Sequence, residues 1–168
     1  MIKSGTGIAI DIPGFGRREI CALLTDFTGT LSRGGKLAPG VKDRLVRLSA
    51  VIDIHVLTAD TFGSAEKELA GIALTLHRLE GEGGGHDVQK RNLGRQFALR
   101  SCLVLGNGNN DRLLLASARE EGGVAIAVDN GEGCATDALL NAHLFVTGAA
   151  NALDLLIEPK ALKATLRS

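Results

Sequence analysis

Ile20-Cys21-Ala22-Leu23-Leu24-Thr25-Asp26-Phe27-Thr28-Gly29-Thr30-Leu31 decides the reading of this chain. A short apolar run bounded by turn residues is the signature of a strand buried on both faces. Here the run meets a carboxylate and breaks into a glycine-containing turn. Open α/β sheets place their ligands at the carboxyl ends of such strands. A carboxylate in that position can act as a nucleophile, splitting phosphoryl transfer into two easier steps through an aspartyl-phosphate. Backbone amides from Phe27 to Gly29 would then face the phosphoryl oxygens, with Gly29 supplying the φ needed for close approach. Taken alone, the stretch leaves open a strand ending in a polar turn, with Asp26 merely hydrogen-bonded to backbone.

Working outward, Ile8 to Ile12 alternates apolar and polar residues, Pro13-Gly14-Phe15-Gly16 turns the chain, and Arg18 to Thr25 is extended again. The pattern predicts a β-hairpin whose second strand delivers Asp26. Residues 32–36 read as a loop, and Pro39 begins an amphipathic helix over about 39–50, with Val41, Leu45 and Leu48 at helical spacing. A buried strand over 51–57 ends at Thr58-Ala59-Asp60-Thr61. A short helix at 64–71 and a brief strand at 72–76 follow, then the glycine-dense loop Gly81-Glu82-Gly83-Gly84-Gly85.

Asp87 is a natural cap for a helix over 88–99. The strand at 102–105 ends in Gly106-Asn107-Gly108-Asn109-Asn110-Asp111, and a helix resumes near Leu113. Strands at 124–128 and 144–146 precede a helix over 149–157, and Pro159 opens a last one. Strands alternating with helices predict a doubly wound, three-layer α/β fold with a mainly parallel sheet. All strand ends of a parallel sheet face one edge, so Asp26, Thr58 and the 106–111 loop would share a crevice.

Composition narrows the class. With 168 residues, 45% of them apolar, the chain can bury one sizeable core, and a single domain over 1–168 is expected. Nineteen basic and nineteen acidic residues balance to zero. That gives no electrostatic case for a nucleic-acid or membrane partner, and it makes homo-oligomerisation plausible. Cys21, Cys102 and Cys134 are odd in number and widely spaced, which suits free thiols in a reducing compartment. No apolar run approaches the ~20 residues that cross a bilayer, and no signal segment opens the chain, so a cytoplasmic location is expected. Aromatic content of 3%, without Trp or Tyr, offers little for base stacking.

Asp-Phe-Thr-Gly-Thr-Leu at 26–31 resembles the first motif of the haloacid dehalogenase-like superfamily, in the Asp-x-Thr-Gly-Thr-Leu form carried by P-type ATPases. The resemblance extends to the soluble P-type ATPase-like branch over nearly the whole chain, without a cap insertion. It implies a Rossmann-like fold and a Mg²⁺-dependent phosphohydrolase with Asp26 as nucleophile. By the same resemblance Thr58 is the second-motif hydroxyl and Lys90 the third-motif cation, with Arg91 competing for that role. Phosphate would be held by Phe27, Gly29, Thr58, Ala59 and Lys90. Asp26, the Thr28 carbonyl, Asn107 and Asp111 would supply hard oxygen ligands for Mg²⁺.

Two positions depart from the family pattern. Most of its phosphatases have an Asp where this chain has Thr28, acting as general acid and base with a contribution of ~10²–10⁴-fold. Thr28 cannot do this, so the phosphoenzyme should form slowly from poor leaving groups and persist. Asn107 stands where the Gly-Asp-Gly-x-Asn-Asp loop usually has a metal-binding carboxylate, so Mg²⁺ should bind more weakly. Together they motivate a rival, a phosphate- or Mg²⁺-responsive binding protein with little turnover. A nucleotide-binding module resting on Gly106 lacks the P-loop Lys-Ser/Thr ending. The expected partner is a phosphorylated small molecule or a phosphoprotein. Without the nucleotide-binding insertion of the ATPases the site should be open, closed if at all by the 81–85 loop or a neighbouring subunit.

Overall fold

A computed structural model of the chain describes residues 7–60, 63–81 and 84–168. Strands β1 (Ile8–Ile12) and β2 (Gly16–Ile20) form an antiparallel hairpin that is a sheet of its own. β3 (Ala22–Thr25) belongs to the central sheet. The predicted second hairpin strand is therefore two strands that divide at Cys21. Its amide donates to the Ser101 carbonyl at 2.8 Å, and its carbonyl accepts from the Asp53 amide at 2.9 Å. The physical reason lies in the residues: Arg17, Arg18 and Glu19 would have to enter a sheet interior, whereas all four residues of β3 are buried.

The predicted loop at 32–36 is a second small hairpin, β4 (Ser32–Arg33) and β5 (Lys36–Leu37). Gly34 and Gly35 make its two-residue turn with φ of 58° and 76°, the twist that suits an antiparallel pair. Helix α1 (Val41–Leu48) follows, then β6 (Asp53–Thr58), α2 (Ser64–Glu68), β7 (Thr75–Arg78) and α3 (His86–Gly94). α3 starts earlier than predicted, behind Gly85, and stops at Gly94. β8 (Cys102–Gly106), α4 (Arg112–Glu120), β9 (Val124–Asp129), α5 (Thr136–Leu140), β10 (Leu144–Thr147), α6 (Ala149–Ile157) and α7 (Pro159–Leu166) complete the chain. The middle of the glycine-dense loop, Glu82 and Gly83, lies outside the described residues, as does Thr61.

The central sheet has six parallel strands in the order β10-β9-β8-β3-β6-β7. From β3 the chain moves out to β6 and β7, then returns to build β8, β9 and β10 on the other side. The direction therefore reverses between β3 and β8, and that is where a crevice opens at the carboxyl edge. Alternate residues feed two cores. Leu23, Ile54, Val56, Leu103, Leu105, Val124, Ile126 and Val128 face the α1, α6 and α7 side. Leu24, Leu57, Val104 and Ala125 face the α3 and α4 side. This is the doubly wound three-layer architecture expected, with the N-terminal hairpin beside it.

Candidate active site

Register aligns the site. Thr25 lies opposite Val56 of β6 on one side and Leu105 of β8 on the other, so Asp26, Thr58 and the Gly106 loop emerge from neighbouring strands. The Asp26 amide still donates to the Leu105 carbonyl at 3.1 Å, which fixes where its side chain begins. The turn beyond it is tight: the Phe27 carbonyl accepts from the amides of Leu31 (3.0 Å) and Ser32 (2.9 Å) and from the Ser32 hydroxyl (3.0 Å). Phe27 is fully buried and Thr28 is exposed. Gly29 has φ 77°, and a β-carbon there would collide with the Asn107 side chain.

At the centre, Lys90 Nζ donates to Asp26 Oδ1 at 2.7 Å and to Asp111 Oδ1 at 2.6 Å. The three residues are only 1%, 5% and 1% exposed, respectively. Of the two candidate cations, Lys90 is the one that reaches Asp26. Asp111 Oδ2 accepts from the backbone amides of Asn107 and Gly108, each at 3.0 Å. Both oxygens of Asp111 are thereby committed, and what Asp111 does in this structure is fasten the ammonium to the 106–111 loop. Burial pushes the Asp26 carboxyl up to about 6; Lys90 opposes that shift and the Asp111 charge adds to it. Burial works against the charged form of Lys90, but Asp111 and Asp26 outweigh it and hold the ammonium above its ordinary value.

Thr30 is the residue that sequence reasoning missed. Its buried hydroxyl donates to Asn107 Oδ1 at 3.1 Å and lies 3.4 Å from Asp26 Oδ2, so it sits between the two. Only the repeated Thr at 28 and 30 hinted at it. The Asn107 amide is oriented from the far side, Nδ2 donating to the Gly133 carbonyl at 3.2 Å. The Thr58 hydroxyl, also buried, accepts from the Asp60 amide at 3.2 Å. Asp60 holds the start of α2, accepting from the Ala65 amide at 2.7 Å and the Ser64 hydroxyl at 3.0 Å. Ala59, between them, is half-buried.

Among the described residues no group of three or more His, Cys, Asp and Glu side chains is arranged to hold a metal. The donor set nevertheless suits a hard cation. Two carboxylates face one ammonium, leaving the ionised cluster one positive charge short, and Asp26 Oδ2 and Asn107 Oδ1 are oxygens that Lys90 does not occupy.

No family model matches the chain. It is 38% identical over 68 residues to an uncharacterised protein of Methanocaldococcus jannaschii, a match spanning 40% of this chain and 69% of that protein. Among solved structures it resembles a haloacid dehalogenase-like family hydrolase of Streptococcus pneumoniae at 14% identity, with 80% of this chain and 97% of that chain covered and a TM-score of 0.57. The 3-deoxy-D-manno-octulosonate 8-phosphate phosphatase of Moraxella catarrhalis, solved with magnesium ion, phosphate ion and the sugar, aligns at 17% identity over 88% and 94% of the two chains, TM-score 0.57. The phosphatase of the same description from Yersinia pestis aligns at 17% over 95% of each, TM-score 0.56. No helix among the described residues is long and apolar enough to cross a membrane. The chain belongs to one family with the Methanocaldococcus protein, and its fold is that of the haloacid dehalogenase-like hydrolases.

Proposed function

We propose that this protein is a Mg²⁺-dependent phosphohydrolase of the soluble P-type ATPase-like branch, acting on a phosphorylated small molecule through an aspartyl-phosphate at Asp26. The observation that carries this reading is the buried Asp26–Lys90–Asp111 cluster at the strand-order reversal. Buried charges without a ligand to serve are costly, because desolvation offsets most of their attraction. In the reaction a carboxyl oxygen of Asp26 attacks phosphorus and the ester oxygen leaves. Lys90 offsets the charge gathered on the phosphoryl oxygens, the Thr58 hydroxyl donates to one of them, and the amides near Phe27 and Gly29 orient the rest. Water then cleaves the acyl-phosphate and regenerates Asp26. Asp26, the Thr28 carbonyl and Asn107 would hold Mg²⁺, which supplies charge neutralisation to the phosphoryl group.

Thr28 is exposed and has no carboxyl group with which to protonate a leaving oxygen. Good leaving groups should therefore turn over much faster than alkyl phosphates. Incubation with Mg²⁺ and p-nitrophenyl phosphate is the test. Release of nitrophenolate that falls at least ~10³-fold in Asp26→Asn supports the enzyme. Its absence, with Mg²⁺ or phosphate still bound, favours a binding protein that has lost turnover, the reading that Thr28 and Asn107 motivate.

A further inference from the structure

The β4–β5 hairpin, which follows the Asp26 loop directly, is fastened on two sides. The Gly34 amide donates to Glu132 Oε1 at 2.6 Å, on the loop after β9, and the Leu37 amide donates to Glu68 Oε2 at 3.0 Å, at the end of α2. Ser32 is buried beneath it, bonded to the Phe27 carbonyl, so Arg33 and Lys36 are left at the exposed, turn end. Those two residues are direct partners across the pair. Like charges placed opposite one another destabilise a two-stranded ribbon. Here no ion pair of Arg33 or Lys36 occurs among the described residues. Glu132, the carboxylate beside the turn, gives its oxygen to the Gly34 amide instead. The Arg33 guanidinium lies against Gly131, two residues from the Gly133 carbonyl that orients Asn107. The hairpin thus holds two opposed cations, neither of them in an ion pair among the described residues, with the Arg33 guanidinium beside the loop that orients Asn107.

We propose that Arg33 and Lys36 form an anion-binding pair that takes a second anionic group, carboxylate or phosphate, carried by a small phosphomonoester substrate. This rests on the phosphohydrolase reading above and adds to it a substrate class. A guanidinium accepts either group through paired N–H donors, and a neighbouring ammonium adds point charge. The test compares glycerol 3-phosphate, 3-phosphoglycerate and glycerol 1,3-bisphosphate with Mg²⁺. The wild type should prefer one or both of the doubly anionic esters over glycerol 3-phosphate by about 10–100-fold in kcat/KM, the range given by hydrogen bonds to charged groups. Preference for the carboxylate or for the bisphosphate identifies the second group.

In Arg33→Gln/Lys36→Gln the preference should vanish, while p-nitrophenyl phosphate turnover stays within about threefold and the protein unfolds no more readily than the wild type, both side chains being exposed. Equal rates for all three esters in the wild type, or equal losses on every substrate in the variant, would overturn the proposal. Equilibrium binding of the same three compounds to Asp26→Asn separates the two readings. Charge-dependent binding that the hairpin variant abolishes, with no turnover of any ester, sinks the enzyme and keeps the anion pair. Turnover without such discrimination does the reverse.

Discussion

The two ends of the central sheet differ in kind. At the carboxyl edge three charged side chains are almost fully buried, and nearly every oxygen has a named partner. At the amino edge, where β3, β6 and β7 begin, lies a space of about 450 Å³ lined by Cys21, Asp53, His55, Gln96, Phe97 and Cys102 among others. Its volume is within the range of small-molecule sites. Yet its polar groups do not converge: His55 pairs with His77 at 3.1 Å and lies tilted against Phe97 with ring centroids 4.4 Å apart, while Cys102 turns its thiol to the Ala98 carbonyl. Burial lowers both imidazoles and pushes the Cys102 thiol up to about 12. Volume alone does not locate chemistry; charge buried in spite of its desolvation cost does.

The contrast can be broken most forcefully at Lys90. Lys90→Met strips the ammonium from two buried carboxylates, and it should lower unfolding free energy by about 3–5 kcal/mol in urea titrations. Phosphatase activity should be lost as well. Lys90→Met/Asp111→Asn, which removes one of the stranded carboxylates, should recover part of the stability and none of the activity.

A smaller effect is expected with pH. Asp26, raised to about 6, is protonated and non-nucleophilic below that value, so kcat/KM at limiting Mg²⁺ should rise about tenfold per pH unit up to about 6 and then level. The same raised value means the folded state binds this proton more tightly than the unfolded chain. Asp26 therefore makes stability fall as pH climbs from 3.8 to about 6, a slope that Asp26→Asn should remove. An acid limb unchanged by Mg²⁺ concentration would assign it to another group. The least effect on catalysis should come from the amino edge. Phe97→Ala, at a half-buried ring, should cost about 1–3 kcal/mol of stability and leave kcat/KM within twofold. A large loss of activity there would erase the distinction between the two ends.

Much of the carboxyl edge was legible because strand ends are marked by composition: Leu23-Leu24-Thr25 before Asp26, Val56-Leu57 before Thr58, and Val104-Leu105 before Gly106. Parallel pairing then brings such ends together, whatever their separation along the chain. The division at Cys21 was hidden because β2 and β3 are both extended, and only the charge of Arg17, Arg18 and Glu19 tells them apart. The small hairpin carried a signal that went unused, two adjacent glycines between short polar strands. α5, five residues without helical periodicity, carried none. Nor could spacing reveal that both Asp111 oxygens are occupied, since that depends on where the Asn107 and Gly108 amides point after the chain has turned.

Asp111 grips the loop amides with one oxygen and Lys90 with the other. The ammonium is therefore aimed when the chain folds, and on the proposed reading an incoming phosphate would find its countercharge already in place rather than having to draw a flexible side chain out of water. What such a ligand would have to exchange is the Lys90–Asp26 contact, a single hydrogen bond.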